Sequence, residues 1–153
     1  MRMKGYNIFL IFMIYEFGSA FAKCPNHWMR YSNNCYLFVT RYPMEWIDAM
    51  TFCRSYGAML AEIKSFAEDY FLRHEARRLG GNFWLGGSDI LVDRVWKWMS
   101  SKTSFSYSGW ASGEPNVSYG AGEHCVHLYK DRNYYWNDER CENRFNFICQ
   151  RAA

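Results

Sequence analysis

Oxygen-bearing side chains are concentrated in one loop-like stretch of the sequence, GEPNVSYGAGEHC (113–125). The stretch places Glu114, Asn116 and Glu123 around one proline and several glycines. A tripeptide further along the chain, Trp-Asn-Asp (136–138), adds a second carboxamide and a third carboxylate. Side chains of these types can act as a general acid and base or bind a metal ion, and an asparagine can also accept a glycan.

The mixture of carboxylates and carboxamides favours a metal ion. Both groups offer hard oxygen ligands, and Ca²⁺ takes roughly six to eight oxygens in irregular geometry. A cis peptide bond before Pro115 would fix the backbone between two of these side chains, because cis bonds are almost confined to X-Pro. The sequence alone therefore favours a Ca²⁺ site in this loop.

Two alternatives use the same side chains. Glu114 and Glu123 could act as the acid and base of a glycoside hydrolase, but the sequence gives no sign of a raised pKa and the neighbouring asparagines suit a metal better. No arrangement of a nucleophile with His and Asp is present either, so we expect no enzyme. Asn116-Val117-Ser118 is the only N-glycosylation sequon, and we expect Asn116 to remain unmodified because a glycan would block the proposed ligand.

The first 22 residues are typical of a secretory signal peptide. Arg2 and Lys4 precede the apolar run IFLIFMIY (8–15), and residues 19–22 end in an A-x-A cleavage pattern. We expect this segment to be removed, which leaves residues 23–153 as one secreted, extracellular domain. No later apolar run is long enough to serve as a membrane anchor.

All six cysteines follow the predicted signal peptide, and an even number in a secreted chain predicts three disulfides. Their spacing lacks the C-x-x-C pattern of cysteine-ligated zinc and leaves fifteen connectivities open. Because no cysteine is left over, any homo-oligomer would be non-covalent. The formal net charge of +3 is too small to indicate a nucleic-acid partner, and no P-loop or zinc-finger motif is present.

Helical and strand patterns then predict an α+β domain. Residues 44–56 carry apolar side chains at helical spacing. Ser65 and Glu68 form an S-x-x-E capping box that begins a second helix, which Gly80-Gly81 ends. The span between residues 99 and 125 has no periodicity, and a loop of that length is usually functional. Short β-rich segments lie at residues 35–39, 82–87, 95–99, 125–129, 134–136 and 145–150.

The order of these elements resembles the C-type lectin family over essentially the whole predicted domain. The resemblance rests on the six cysteines, the two helices, FWLGGSD (83–89), the EPN and WND motifs, and the closing C-x7-C. It implies a C-type lectin-like fold, with two helices packed on small antiparallel sheets beside a long calcium-binding loop region. It also implies three disulfides, Cys24–Cys35, Cys53–Cys149 and Cys125–Cys141.

The resemblance also assigns the oxygen ligands. It implies one principal Ca²⁺ with five ligands, Glu114, Asn116, Glu123, Asn137 and Asp138. All of these except Asp138 would also bond two vicinal sugar hydroxyls, and the E-P-N order implies mannose-type specificity. Tyr119 stands where its ring could contact the sugar.

We therefore expect a calcium-dependent lectin that binds mannose-type glycans on microbial or other foreign surfaces in innate immunity. The alternative is a C-type lectin-like structural or protein-binding module, for example in a biomineral matrix, for which sugar is not the main ligand.

Three further expectations concern neighbouring residues. Family members with an auxiliary Ca²⁺ site carry additional acids, which Asp89 and Asp93 match, whereas Val117 and His124 stand where two others would be. We expect this auxiliary Ca²⁺ site to be absent or weak. Trp136 is expected in the core, where it would hold the Asn and Asp that follow it. His127 alternates with apolar residues in a predicted strand, and we expect it to be structural.

Overall fold

The computed structural model describes residues 23–116 and 122–153. The predicted signal peptide, Tyr119 and the last two residues of the sequon lie outside the described residues. Within the described ranges the chain forms two α-helices, one 3-10 helix and eight β-strands, in the α+β arrangement that the sequence predicts.

Helix α1 (Trp46–Ser55) forms where the helical spacing predicts it. Its buried side chains are those at the i, i+3, i+4 and i+7 positions that begin with Trp46. The indole Nε1 of Trp46 donates to the carbonyl of Leu85 at 2.8 Å, which fixes the start of the helix on the sheet. The helix ends before Gly57, whose φ of 63° favours a residue without a Cβ.

Helix α2 (Phe66–Leu79) begins at the predicted capping residue. Ser65 Oγ accepts from the backbone N–H of Glu68 at 3.2 Å. The Glu68 carboxylate does not return to Ser65; it accepts from the backbone N–H of Lys64 at 2.8 Å and from the Tyr36 hydroxyl. The acidic partner of the capping box therefore also ties the helix to the sheet.

The strands form one twisted sheet with the spatial order β1-β2-β8-β4-β6-β7, while β3 pairs with β8 and β5 with β4. Strands β4 and β8 run parallel, and the other pairs are antiparallel. The strand bounds are β1 Met29–Tyr31, β2 Asn34–Met44, β3 Met59–Leu60, β4 Phe83–Ser88, β5 Lys97–Trp98, β6 Glu123–Leu128, β7 Trp136–Arg140 and β8 Phe145–Ala152.

Some strand boundaries differ from the sequence prediction. The segment predicted at 95–99 is a strand only at Lys97–Trp98. The segment predicted at 134–136 becomes a strand only at Trp136, because Tyr134 adopts a φ of 62° that no strand accommodates. The short strands β1 and β3 were not predicted, since two or three residues carry too little periodicity to detect.

Three disulfides join the elements with the pairing that the resemblance implies. Cys24–Cys35 closes the N-terminal segment on β2, Cys53–Cys149 joins α1 to β8, and Cys125–Cys141 joins β6 to the residue after β7. The last of these braces the two strands that carry Glu123, Asn137 and Asp138. No described helix is long and apolar enough to cross a membrane.

Candidate metal centre

Strands β6 and β7 position three of the five predicted ligands. Glu123 is the first residue of β6, and its partner in the antiparallel register is Arg140. Asn137 and Asp138 lie on β7 opposite His127 and Val126. The register shifts between Glu123 and Cys125, and such an irregularity re-aims the side chain at the strand end.

Backbone hydrogen bonds attach the loop that carries Glu114 to β7. The Trp136 N–H donates to the Gly109 carbonyl at 2.8 Å, and the Ala111 N–H donates to the Trp136 carbonyl at 2.8 Å. The Glu114 N–H then donates to the Ala111 carbonyl at 3.0 Å. Because Trp136 directly precedes Asn137, these bonds set the distance between the EPN and WND motifs.

The EPN motif is locally ordered. The Glu114–Pro115 peptide bond is cis, as the sequence analysis anticipates. Glu114 Oε2 accepts from the backbone N–H of Asn116 at 2.9 Å and from its side-chain Nδ2 at 2.8 Å. The two side chains on either side of the proline therefore hold a fixed relative orientation.

The three carboxylates of the predicted site repel one another. Burial, followed by the charges of Glu114 and Glu123, raises the pKa of Asp138 to about 6, while hydrogen bonds from the backbone of Asp138 itself and of Asn116 act in the opposite direction. Burial also raises the pKa of Glu123, followed by the charges of Glu139 and Glu114. These raised pKa values have no signal in the sequence, because they arise from residues that only the fold brings together.

Two carboxylate oxygens at this position are buried without a hydrogen-bond partner among the described residues, Glu123 Oε2 and Asp138 Oδ1. A buried anionic oxygen without a partner is costly, and a bound cation removes that cost. The donor set consists of carboxylates and carboxamides, which fits a hard cation such as Ca²⁺. The five predicted ligands therefore suit the ion in chemistry, and the charges of Glu114 and Glu123 act on Asp138.

His127 has a role that the sequence analysis missed. It is 1% exposed, and burial lowers its pKa to about 3, so the ring is neutral. Asn137 Nδ2 lies 3.2 Å from its Nε2, which accepts when the ring proton is on Nδ1. This bond directs the amide N–H₂ toward His127. The available signal in the sequence is a polar residue inside an apolar strand, which predicts a structural role but does not identify Asn137 as its partner.

Asp69 on α2 is a second residue that the sequence analysis missed. Its buried carboxylate accepts from Trp136 Nε1 at 2.7 Å and from the Tyr107 hydroxyl at 3.0 Å, and it pairs with Arg73 at 2.9 Å. It thus links α2 to the residue that precedes Asn137. A detectable signal exists, because Asp69 lies on the same helix face as the buried Leu72.

Trp136 itself is fully buried, as predicted for a core residue that supports the WND motif. Rings from the long connection pack on it edge-to-face, with centroid separations of 5.6 Å to Phe105 and 5.8 Å to Trp110. Tyr119, the remaining predicted sugar contact, lies outside the described residues.

Comparison with known proteins defines the family. The Lectin C-type domain model matches residues 42–151, and the chain belongs to this C-type lectin family. Three relatives illustrate its range. Ladderlectin of Oncorhynchus mykiss is 38% identical over 126 residues, covering 80% of this chain and 65%, just under two thirds, of ladderlectin.

Perlucin of Haliotis laevigata is 36% identical over 131 residues, covering 84% of this chain and 83% of perlucin. The galactose-specific lectin nattectin of Thalassophryne nattereri is 32% identical over 133 residues, covering 85% and 81%. Two of these three relatives, ladderlectin and nattectin, carry the word lectin in their names.

Solved structures give the same fold with different uses. The carbohydrate-recognition domain of the mouse scavenger receptor C-type lectin superposes with a TM-score of 0.76 at 29% identity, covering 84% of this chain and 96% of that domain. Herring type II antifreeze protein also gives a TM-score of 0.76, at 30% identity, covering 85% and 99%. Family membership therefore establishes the lectin fold but leaves the ligand to be argued from the site.

Proposed function

We propose that this protein is a calcium-dependent lectin that binds mannose-type glycans. The observation that carries the proposal is the pair of buried carboxylate oxygens, Glu123 Oε2 and Asp138 Oδ1, which have no hydrogen-bond partner in the described part of the chain. The charge of Glu114 acts on both of these groups. We propose that Ca²⁺ is held here by Glu114, Asn116, Glu123, Asn137 and Asp138.

Bound Ca²⁺ would supply coordination for two vicinal sugar hydroxyls, and the protein side chains would set their hydrogen bonds. Glu114 and Glu123 accept from hydroxyl O–H groups, because an ionised carboxylate has no proton to donate. Asn116 would donate through its amide N–H₂. The amide N–H₂ of Asn137 is bonded to His127 and to the Asp138 carbonyl, so Asn137 would contribute its amide oxygen to the ion. The bonds between Asn116 and Glu114 place one donor beside one acceptor at the EPN motif, which supports the mannose-type assignment.

Weak binding at a single shallow site would require several sites to act together. A monosaccharide makes few contacts and loses solvation, so its affinity is low. Linked sites raise the effective concentration and hence the overall affinity. We propose that the mature domain, residues 23–153, is secreted and recognises arrays of glycans on microbial or other foreign surfaces, with any clustering non-covalent because all six cysteines are paired.

Binding of sugar distinguishes this proposed function from the alternative, a structural or protein-binding module. One relative is named as galactose-specific and one neighbour with the same fold is named as an antifreeze protein. A structural or protein-binding module would keep the disulfides and the core but would not need the unpartnered carboxylate oxygens of Glu123 and Asp138.

Affinity chromatography tests the proposal. The mature protein is applied to mannose-agarose and galactose-agarose with Ca²⁺ and is then eluted with EDTA. Retention on mannose-agarose that EDTA reverses is expected for the wild type and for Asp131→Asn, which changes an exposed acid on the 3-10 helix. Asp138→Asn should pass through unretained. Wild-type protein that passes through both columns would contradict the sugar-binding function and favour the structural alternative.

A further inference from the structure

Asp89, Asp93 and His124, which stand at positions of the family's auxiliary Ca²⁺ site, form a second cluster of side chains that could hold a metal ion. Each residue offers one ligand atom, and these atoms lie within 4.8 Å of one another. Asp89 follows the end of β4, Asp93 lies in the loop after it, and His124 is the second residue of β6. The carboxylate of Asp89 is buried, while Asp93 is open to solvent with a side chain 76% exposed.

Hydrogen bonds already hold the cluster in place. Asp89 Oδ1 lies 2.9 Å from His124 Nδ1, and Asp89 Oδ2 accepts from the Arg94 backbone N–H at 2.8 Å. The His124 carbonyl accepts from the Ser88 hydroxyl at 2.6 Å and from the Asp89 N–H at 3.3 Å. The start of the loop is therefore bonded to β6, with the imidazole facing a buried carboxylate.

The donor atoms of this cluster differ in kind from those of the proposed Ca²⁺ site. Ca²⁺ binds oxygen atoms, and an imidazole nitrogen is a poor ligand for it. Borderline cations such as Zn²⁺ bind histidine nitrogen and aspartate oxygen together, often with three protein ligands and one open position for water. The exposed side of Asp93 leaves room for that fourth position.

We propose that Asp89, Asp93 and His124 form a binding site for a divalent transition-metal cation of the Zn²⁺ type. In a tetrahedral zinc site with bonds of about 2.0 Å, two ligand atoms lie about 3.3 Å apart. The present separation of 2.9 Å between Asp89 Oδ1 and His124 Nδ1 would have to widen only slightly. The ion would replace the hydrogen bond between these two side chains.

Metal binding would also fix an exposed loop. Asp89 and Asp93 lie at the two ends of the short aliphatic segment Ile90-Leu91-Val92, whose three side chains are more than half exposed. A metal bound to both aspartates would hold the ends of this segment together beside β6. Glu123 directly precedes His124 in β6, so Zn²⁺ bound at His124 would also restrain the backbone next to a proposed Ca²⁺ ligand. The Zn²⁺ site itself does not depend on whether the proposed Ca²⁺ site binds sugar.

Isothermal titration of the mature protein with ZnCl₂, in Ca²⁺-free buffer, tests the site. One Zn²⁺ is expected to bind the wild type, and His124→Ala should weaken binding at least about tenfold, since even changes around a metal site commonly cost about 10–100-fold. Asp93→Asn should also weaken Zn²⁺ binding. Because the Asp93 side chain is exposed, this substitution should leave the fold intact. His74→Ala, which removes an exposed histidine on α2, is the matched control and should bind as the wild type.

Two further variants locate the ion. His124→Asp converts the cluster to oxygen ligands, so it should lose Zn²⁺ affinity. Asp138→Asn, in the proposed Ca²⁺ site, should retain Zn²⁺ binding whether or not that site binds sugar. In Co²⁺-loaded protein, the visible absorption bands should change in His124→Ala and not in His74→Ala. Zn²⁺ binding that survives both His124→Ala and Asp93→Asn, or that Asp138→Asn abolishes, would overturn the proposal.

Discussion

Asn137 Nδ2 lies 3.2 Å from Nε2 of His127, and the two residues are direct partners in the β6–β7 register. Burial lowers the pKa of His127 to about 3, so its ring stays neutral and able to accept at every pH at which the protein would act. The bond commits the amide N–H₂ of Asn137 to the histidine. The amide oxygen is thereby oriented by a residue that is itself no ligand.

Replacing His127 with phenylalanine should weaken Ca²⁺ binding without unfolding the domain. The His127 ring packs edge-to-face on Trp84 and tilted against Phe145, so phenylalanine keeps most of this packing and removes the acceptor. We expect about a 10–100-fold loss of Ca²⁺ affinity, typical of changes to groups that orient metal ligands. Calcium titration followed by tryptophan fluorescence measures the Ca²⁺ affinity. His74→Phe, which changes an exposed histidine on α2, is the control. An unchanged Ca²⁺ affinity would show that Asn137 needs no support from His127.

Protonation of Asp138 should set the pH dependence of Ca²⁺ binding. Burial, followed by the charges of Glu114 and Glu123, raises the pKa of Asp138 from 3.8 to about 6 in the ion-free protein. A protonated carboxyl is a poor ligand, so Ca²⁺ affinity should fall as pH drops through about 6. Because the pKa of His127 is far lower, this histidine does not contribute to the transition. Calcium titrations between pH 7.5 and 5 measure the effect.

Without the ion, the raised pKa of Asp138 affects stability in the opposite direction: lower pH weakens Ca²⁺ binding but favours the ion-free fold at this residue. The folded protein binds a proton at Asp138 more readily than the unfolded chain does, so the contribution of Asp138 to the free energy of unfolding should increase as pH falls from about 6 toward 4. His127, whose pKa is lowered, contributes in the opposite direction over this range, so the difference between the wild type and Asp138→Asn isolates Asp138. Asp138→Asn should therefore be more stable than ion-free wild type at pH 7 and gain nothing from added Ca²⁺. Thermal unfolding at pH 7 with EDTA or Ca²⁺ compares them, and a less stable Asp138→Asn would contradict the assignment.

Removal of the Asp69 carboxylate should destabilise the domain through the WND strand. Asp69→Ala leaves the buried Arg73 guanidinium without its ion-pair partner and the Trp136 indole N–H without its acceptor. Loss of one member of a buried pair costs about 3–5 kcal/mol. Urea denaturation measures the free energy of unfolding, with the exposed Asp48→Ala on α1 as the control. A cost no larger than that of the control would mean that Asp69 does not support the strand.

The sequence predicted the helices well because their signals are local. Ser65 is a capping side chain, and the apolar residues of α1 repeat at the helical period. The ends of the strands were less accurate, because two-residue strands such as Lys97–Trp98 exist only where a neighbouring strand supplies hydrogen bonds. The left-handed backbone of Tyr134, which delays β7 to Trp136, carries no sequence signal, since tyrosine rarely adopts it.

The oxygen-bearing residues of the candidate site were identifiable from residue types, but their supports were not. EPN and WND are short motifs, and the oxygen ligands they offer can be recognised from the sequence alone. The roles of His127 and Asp69 depend on contacts over 10 and 67 residues of sequence, which only the folded chain supplies. The raised pKa of Asp138 likewise requires Glu114 and Glu123 to meet in space.

The sugar preference should reverse when the EPN motif becomes QPD. In the double variant Glu114→Gln, Asn116→Asp, an amide replaces the carboxylate before Pro115 and a carboxylate replaces the amide after it. The total charge of the ligand set is unchanged, so Ca²⁺ affinity should be retained. The hydrogen-bond polarity offered to the two sugar hydroxyls is exchanged between the two sides of the ion.

Under this exchange, mannose would meet unpaired donors and acceptors, each of which costs about 1–3 kcal/mol, or about 5- to 150-fold in relative affinity. We expect galactose to compete better than mannose for the double variant and worse for the wild type, in a glycan-array competition with both free sugars. Ser118→Ala removes the sequon and leaves EPN intact, so it separates the motif from any effect of a glycan on Asn116. A wild type that already prefers galactose, as the name of nattectin records for that relative, would show that the loop containing Tyr119 overrides the EPN motif.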